Sequence, residues 1–309
     1  MALLFISAVE DPEVWREEFA RVLPAEEFRV WPEAGKREEI EFLLVWRPPR
    51  GSMKGFPNLK AILNMGAGVD YVLADPELPR GVPLIRLVDR GLRDGMVEFV
   101  VHAVLHFHRD FHIYRARQTR HEWIESPQVA AGARRVGILG FGQLGQAAAR
   151  ILIALGFPVA GWSRTRKKIP GVESFAGAGE LSKFLARTDI LVTLAPLTKE
   201  TAGIVNAGTL AQLPRGAYLI NAGRGGLAVE EDILAALDGG HLAGAWLDVF
   251  RQEPLPPASP LWTHPNVIVT PHVAAITLPG PAALELADNI RAIRSGLPPN
   301  GLVDKSREY

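Results

Sequence analysis

Three residues with chemically useful side chains each follow a predicted β-strand in the second half of the chain: Arg224, Glu253 and His272. An arginine can hold a carboxylate, a histidine can donate a proton, and a glutamate beside that histidine can keep it charged. Singly, each has an ordinary structural explanation, as a capping arginine, a loop ion-pair partner or a turn histidine. Because open α/β sheets bind ligands at the carboxyl ends of their strands, the three together predict proton transfer to an oxygen beside a bound anion.

A glycine-rich turn precedes these residues. The apolar run Val136–Leu139 leads into a Gly-x-Gly-x-x-Gly motif at residues 140–145, and a helical pattern starts at once. In such a turn the first glycine makes the bend, the second lets the backbone approach a pyrophosphate, and the third lets helix pack on strand. A purely structural turn is the alternative. We predict a dinucleotide site, with contacts from Gly140, Gly142, Gln143, Leu144 and Gly145.

The segment after the next predicted strand indicates which dinucleotide is preferred. NAD-specific domains place an acidic residue there to bind the ribose hydroxyls. Here Ser163–Lys168 holds four cations, and no acidic residue occurs between Arg150 and Glu173. Guanidinium groups pair well with phosphate. We therefore expect NADP(H) to be preferred over NAD(H), although a solvated basic loop is possible in principle; the predicted contacts are Ser163, Arg164, Thr165 and Arg166.

With such a cofactor, the reaction that suits Arg224, Glu253 and His272 is hydride transfer to a ketone. It requires a cation on the developing alkoxide, a proton donor and a group that keeps this donor charged.

The composition narrows the range of partners. A formal net charge of +0 and a pI of about 7.1 give no reason to expect nucleic acid or a membrane surface. No apolar run reaches membrane-spanning length. The absence of cysteine excludes disulfides and thiolate chemistry and agrees with a cytoplasmic location. Met1–Ser7 is apolar but lacks a basic segment, so we expect a first strand and not a signal peptide.

Short apolar runs alternate with helical patterns along the whole chain, which predicts an α/β protein with two doubly wound parallel-sheet domains and a cleft between them. Residues 1–97 with 281–309 should form a flavodoxin-like substrate domain, and residues 98–280 a Rossmann cofactor domain. The predicted strands of the first domain are Leu3–Ala8, Phe28–Trp31, Phe42–Trp46, Ala61–Asn64 and Pro83–Leu87. Those of the second are Val136–Leu139, Pro158–Trp162, Ile190–Leu194, Ala217–Asn221, Ala243–Leu247 and Val267–Thr270.

A histidine-rich segment lies before the glycine turn. The pattern predicts one long helix over Met96–Arg117, with four histidines between positions 102 and 112. His102 and His106 are one turn apart, as in some metal sites, but no water-activating glutamate accompanies them. We therefore predict no metal site and interpret the segment as a packed helix or a dimer interface.

From about Phe42 to its end, the chain resembles the D-isomer-specific 2-hydroxyacid dehydrogenases, and within them the glyoxylate/hydroxypyruvate reductase A branch. One local departure is Gly223, where the family usually has alanine or serine before the arginine. The matching segments are Asn64–Asp70, Gly140–Gly145, Trp162–Lys168, Asn221–Gly225, Leu247–Pro257 and Thr270–Thr277.

The resemblance implies an NADPH-dependent reductase that converts glyoxylate to glycolate and hydroxypyruvate to D-glycerate. His272 would give a proton to the carbonyl oxygen, Glu253 would keep this histidine protonated, and Arg224 would hold the substrate carboxylate. Asp248 would face the nicotinamide carboxamide. Further implied substrate contacts are Trp46, Ala67, Gly68 and Val69. Further implied cofactor contacts are Leu194, Ala195, Pro196, Thr201, Asn221, Ala222, Gly223 and His272.

Two alternatives stay open at this point. One is a different D-2-hydroxyacid dehydrogenase, of the D-lactate or 2-ketogluconate type. The other is a nucleotide-dependent binding protein like the C-terminal-binding-protein corepressors, which share the fold. The family resemblance also implies a homodimer and closure of the two domains around bound ligands.

Overall fold

The computed structural model describes residues 2–307 and divides the chain into two compact units. One unit ends at Arg93 and resumes at Ile276, and the other comprises Asp94–Ala275. The predicted domain boundaries lie slightly further along the chain at both joins. Each unit contains its own parallel sheet, so the two are described separately.

The sheet of the first unit has five strands within the described residues, and every pairing between them is parallel. The order is β2-β1-β3-β4-β5, which is the flavodoxin-like order. The three interior strands are almost wholly buried, as expected for a parallel sheet covered on both faces. The strands are β1 (Ala2–Ser7), β2 (Glu27–Val30), β3 (Ile40–Trp46), β4 (Ala61–Asn64) and β5 (Leu84–Arg86).

Two helices connect these strands: α1 (Pro12–Val22) and α2 (Asp70–Leu73). The sequence sets the start of α1, because the Asp11 side chain caps the Glu13 N–H at 2.9 Å and Pro12 occupies the first helical position. Trp15 and Phe19, one turn apart, bury its inner face.

The sheet of the second unit has seven strands within residues 94–275, again all parallel. Its order is β12-β11-β10-β9-β6-β7-β8, so the winding reverses between β6 and β9. Open α/β sheets bind ligands at this kind of switch point. The strands are β6 (Val136–Leu139), β7 (Val159–Ser163), β8 (Val172–Ala176), β9 (Ile190–Thr193), β10 (Ala217–Asn221), β11 (Leu242–Leu247) and β12 (Val267–Val269).

The six predicted strands of this unit are present, and β8 is a seventh that the sequence interpretation missed. It lies at the edge of the sheet and is only partly buried. An edge strand with Glu173 and Ser174 in its middle lacks the apolar run that marks the interior strands.

One helix in the central part of the chain differs from the prediction. The single helix predicted over Met96–Arg117 is two helices, because Asp110 adopts a left-handed conformation with φ of +58° between them. The helices are α3 (Arg90–His108), α4 (Phe111–Thr119), α5 (Gln143–Ala154), α6 (Ala178–Ala186), α7 (Ala207–Leu210) and α8 (Glu230–Asp238).

The last helix, α9 (Pro279–Arg294), belongs to the first unit and packs against α1. Arg291 donates a hydrogen bond to the Val22 carbonyl, and Arg294 pairs with Glu26 and with Glu41 at 2.9 Å. These contacts fix the end of the chain to the unit in which it begins. Of the helices in residues 2–307, none is both long enough and apolar enough to cross a membrane.

Candidate active site

The glycine turn lies between β6 and α5, directly at the switch point of the second sheet. Gly140 has φ of +104°, and a Cβ there would lie 2.2 Å from the Ala195 backbone nitrogen. A Cβ on Gly145 would lie 2.7 Å from the Gly140 oxygen. Gly142 differs, because a Cβ there would meet no described atom within 4 Å. The first and third glycines are therefore required by the fold, whereas the second leaves open space beside the N-terminus of α5, as close approach of a pyrophosphate requires.

Phe141, inside the glycine motif, anchors the turn. Its ring is fully buried and lies against Gly161 of β7, where a Cβ would come within 2.3 Å of the ring. Its carbonyl accepts a hydrogen bond from the Gln146 side chain at 3.2 Å. Sequence reasoning missed this residue; the available signal was an aromatic residue at a variable motif position, paired with a glycine in the next strand.

The basic segment 163–168 follows β7, as predicted, but one of its arginines has an acidic partner. Arg166 lies 2.6 Å from Glu180 Oε2, and it also donates to the Ser174 carbonyl. Glu180 accepts the Ala176 N–H at 2.6 Å. This backbone bond, followed by Arg166, lowers the pKa of Glu180. Arg164 and Thr165 are exposed, and Ser163 donates to the Thr165 carbonyl at 2.8 Å. A phosphate would therefore compete with Glu180 for Arg166.

The three predicted catalytic residues follow three neighbouring strands. Arg224 comes after β10, Glu253 after β11 and His272 after β12, and these strands are adjacent in the sheet. Loop packing brings the first two segments together, since a Cβ on Gly225 would fall 1.9 Å from the Phe250 carbonyl carbon. The sequence predicted strand ends but could not show that the strands were neighbours.

His272 and Glu253 form the predicted pair. His272 Nδ1 lies 2.8 Å from Glu253 Oε2, and the other carboxylate oxygen accepts the Phe250 N–H at 3.1 Å. Both side chains are partly exposed. No atom of residues 2–307 forms a hydrogen bond with His272 Nε2. The arrangement holds the ring through one nitrogen and keeps the other available for proton transfer to a ligand.

Asp248 holds the backbone that carries His272. The carboxylate is fully buried and accepts bonds from Thr270 Oγ1 at 2.6 Å and from the N–H groups of Val273 and Ala274 at 2.9 Å. Its carbonyl accepts the His272 N–H at 2.8 Å. The predicted nicotinamide contact of Asp248 stays a prediction, because the hydrogen bonds of its carboxylate go to Thr270, Val273 and Ala274.

Thr270 links this loop to the interior of the sheet. It accepts a hydrogen bond from Trp246 Nε1 at 3.2 Å while donating to Asp248. The Trp246 ring packs edge-on against His102 and His106, each with ring centroids 5.3 Å away. The histidines of α3 are thus packing residues, and residues 2–307 contain no group of three potential metal-ligating side chains of the His, Cys, Asp or Glu type. Sequence reasoning missed Thr270 and Trp246.

The loop around Arg224 is fixed by buried polar bonds. Asn221 is almost fully buried; its Oδ1 accepts from Thr193 Oγ1 at 2.6 Å and from the Gly223 N–H at 3.3 Å. Arg224 Nη1 donates to the Gly223 carbonyl at 2.8 Å. A Cβ on Gly223 would lie 2.9 Å from Leu227, so the glycine at this position suits a tightly packed turn.

The other predicted cofactor contacts lie beside the glycine turn. Leu194, Ala195 and Pro196 follow β9, and Ala195 packs directly against Gly140. Thr201 Oγ1 donates to the Pro196 carbonyl at 2.6 Å, which closes the loop after this strand. Ala222 follows β10 and is buried.

The predicted substrate contacts Trp46, Ala67, Gly68 and Val69 all belong to the first unit. Trp46 ends β3, and its ring occupies the space where a Cβ on Gly66 would lie, 2.1 Å away. Tyr71 packs edge-on against Trp46 at 5.3 Å between centroids. The turn at 65–69 and the Trp46 side chain are therefore one packed feature.

Comparison with known proteins agrees with this arrangement. The model of the NAD-binding domain of the D-isomer specific 2-hydroxyacid dehydrogenases matches residues 101–274. This span covers the glycine turn, the basic segment and all three predicted catalytic residues.

Several solved structures are similar over their full length. A D-isomer specific 2-hydroxyacid dehydrogenase from Xanthobacter autotrophicus Py2, in complex with NADPH and MES, is 44% identical with a TM-score of 0.96, covering 100% of this chain and 99% of that one. An NADPH-dependent glyoxylate/hydroxypyruvate reductase from Sinorhizobium meliloti, with NADP and sulfate, is 42% identical with a TM-score of 0.94, covering 100% of both chains.

A third similar structure is a probable 2-hydroxyacid dehydrogenase from Rhizobium etli CFN 42, in complex with NADP, HEPES and L(+)-tartaric acid. It is 38% identical with a TM-score of 0.92, covering 100% of this chain and 99% of that one. The two parallel sheets, the paired histidine and glutamate, the family-model match and these similarities lead to one conclusion: the chain belongs to the D-isomer specific 2-hydroxyacid dehydrogenase family.

Proposed function

We propose that this protein is an NADPH-dependent reductase of small 2-keto acids, which converts glyoxylate to glycolate and hydroxypyruvate to D-glycerate. The observation that carries the proposal is the 2.8 Å pair of His272 and Glu253, which follow β12 and β11. These strands and β10, which precedes Arg224, are consecutive in the sheet. The reductase from Sinorhizobium meliloti, 42% identical over the whole chain, supports the choice of substrates.

The chain fits the cofactor because Gly142 leaves open space next to the first N–H groups of α5. Gly140–Gly145 would hold the pyrophosphate, and Ser163–Arg166 the 2′-phosphate. When bound, NADPH supplies a hydride to the carbonyl carbon.

The protein's own groups complete the reaction. Arg224 binds the substrate carboxylate and polarises the carbonyl. His272 would give the proton on Nε2 to the carbonyl oxygen, which becomes the hydroxyl of the 2-hydroxy acid. Glu253 accepts the hydrogen bond from Nδ1 and keeps the ring oriented.

Replacement of the proposed proton donor tests the function directly. His272→Gln is expected to lower kcat by about 10²–10⁴-fold, the usual contribution of general acid catalysis, while the NADPH dissociation constant stays nearly unchanged. The assay is NADPH oxidation with glyoxylate, hydroxypyruvate and pyruvate. Turnover at the wild-type rate would rule out the assignment, and activity confined to pyruvate would favour a D-lactate dehydrogenase.

The cofactor preference has its own test. Replacing Arg164 and Arg166 with alanine should reduce the ratio of kcat/KM for NADPH to that for NADH, because guanidinium–phosphate bonds are lost. Glu180→Gln should change this ratio in the opposite direction, by up to about tenfold, since it removes the carboxylate that competes for Arg166. An unchanged ratio in both variants would show that the segment does not bind the 2′-phosphate.

We further propose that residues 1–97 with 281–309 bind the substrate acid, that residues 98–280 bind the cofactor, and that the protein is a cytoplasmic homodimer. The cysteine-free sequence supports the location. Exposed apolar side chains around α4 support the dimer: Phe111 is 57% exposed, Ile124 54% and Trp123 99%. Light scattering after size exclusion should give twice the chain mass, and Trp123→Ser should shift the protein towards the monomer.

A further inference from the structure

A buried asparagine braces the turn at the end of β4. Asn64 is 0% exposed, and its Nδ2 donates to the carbonyls of Gly66 at 2.7 Å and Gly68 at 2.9 Å. Its Oδ1 accepts the Tyr71 hydroxyl at 3.0 Å. Both amide hydrogens and one acceptor position are thus used inside a single turn, which fits the rule that buried polar groups are paired.

Further bonds engage the carbonyl of Met65 and reinforce that of Gly66. The Met65 carbonyl accepts Thr277 Oγ1 at 2.9 Å, and the Gly66 carbonyl also accepts the Leu87 N–H at 3.0 Å. By contrast, no acceptor within residues 2–307 takes the N–H groups of Ala67 and Gly68. With the carbonyls of Met65, Gly66 and Gly68 bonded and these N–H groups available, the turn carries a surplus of donors, which favours an anion.

Tyr71 connects Asn64 to Trp46. Its hydroxyl donates a hydrogen bond to Asn64, and its ring packs edge-on against Trp46 with 5.3 Å between ring centroids. Trp46 in turn fits against Gly66 only because that residue has no Cβ. Movement of the amide would therefore disturb both the N–H groups of the turn and the aromatic ring.

We propose that Asn64, assisted by Tyr71, is a positioning residue that sets the 66–69 turn to bind the carboxylate of the 2-keto acid and fixes Trp46 as the wall beside it. This inference rests on the proposed function. It assigns Asn64 no contact with the reacting atoms, so its effect should fall on substrate affinity and only weakly on turnover.

The decisive variant is Asn64→Asp, which has nearly the same shape but replaces the two N–H donors with an acceptor that repels the carbonyls of Gly66 and Gly68. We expect KM for glyoxylate to rise about 10- to 100-fold, as the loss of one hydrogen bond to a charged group would cause. kcat should change less than about threefold, because loss of binding that is equal in the ground state and the transition state raises KM alone. The NADPH dissociation constant should not change.

Tyr71→Phe is the milder variant and remains informative if Asn64→Asp fails to fold. It removes one bond and leaves both amide donations, so KM should rise only a few fold with kcat unchanged. Asn58→Asp is the matched control, because this exposed asparagine of the same unit donates to the Glu38 carbonyl and takes no part in the turn. Its kinetics should match the wild type.

The outcomes separate the two proposals. If the wild type reduces 2-keto acids and both Asn64→Asp and Tyr71→Phe keep the wild-type KM, or lose only kcat in proportion to folded protein, the positioning role is refuted. If the wild type reduces none of these acids, the proposed function fails. In that case calorimetry of oxalate binding to the wild type and to Asn64→Asp tests whether Asn64 positions the turn for an anion. Equal affinities, or no binding to either protein, would refute that role.

Discussion

The open space beside Gly142 leads to a sharp prediction for Gly142→Ala. The residue has φ of −81° and ψ of −158°, which alanine adopts without strain, and the added methyl would meet no atom within 4 Å. The folded protein should therefore gain about 0.4–1 kcal/mol, because alanine restricts the unfolded chain.

The same methyl should oppose the cofactor, since it fills the space through which the pyrophosphate approaches the N–H groups of α5. Losing one charge-assisted hydrogen bond, at about 1.5–3 kcal/mol, weakens NADPH binding about ten- to hundredfold, because 1.4 kcal/mol is about a factor of ten. Fluorescence titration with NADPH measures the affinity, and urea unfolding without cofactor measures the stability.

Two further glycines provide controls for this experiment. Gly179→Ala in α6 also adds a methyl to open space, and it should stabilise the protein without affecting NADPH. Gly140→Ala should destabilise the fold, because its Cβ would strike the Ala195 backbone at a φ of +104°. Wild-type NADPH affinity in Gly142→Ala would refute the proposed pyrophosphate site, and so would destabilisation comparable to that of Gly140→Ala.

Two other predictions concern the interior of the second unit. Thr270→Val removes the bond to Asp248 and leaves the Trp246 N–H unpaired; the free energy of unfolding should fall by about 1–3 kcal/mol, and kcat should fall while NADPH affinity holds, as urea unfolding and steady-state kinetics would show. Burial, followed by neighbouring histidine charges, lowers the pKa of His106 from 6.5 to about 4. Between these values the unfolded chain binds more protons, so stability should decline as the pH falls from about 6.5 towards 4. His106→Leu should flatten this decline in urea midpoints; an identical slope in both proteins would contradict the assignment.

The sequence alone was sufficient for the interior strands, because fully buried parallel strands appear as continuous apolar runs bounded by glycine or polar residues. It was not sufficient for β8, whose partly exposed edge position removes that signal. The break at Asp110 was equally hidden, since a left-handed aspartate leaves only a weak trace inside an otherwise helical pattern.

The sequence likewise predicted some features of the candidate site and missed others. Local motifs marked the glycine turn and the 163–168 segment, and the His272–Glu253 pair followed from the family resemblance. The sequence did not show contacts between separate segments, such as those of Glu180 with Arg166 and of Trp246 with Thr270. Nor did it show the adjacency of the strands that precede the predicted catalytic residues. Such contacts depend on sheet order and loop packing, which no single segment encodes.

The backbone of His272 has a consequence for how this protein can change over evolutionary time. Its φ of +57° is a conformation that residues other than glycine and asparagine adopt at a cost of about 1–3 kcal/mol, and the surrounding bonds to Asp248 hold it there. With His272 as the proposed proton donor, selection for turnover opposes selection for stability at this position. In a lineage that no longer needs the reaction, substitution of His272 by glycine or asparagine should be favoured. The resulting protein would be inactive but more stable, and it would still bind the nucleotide.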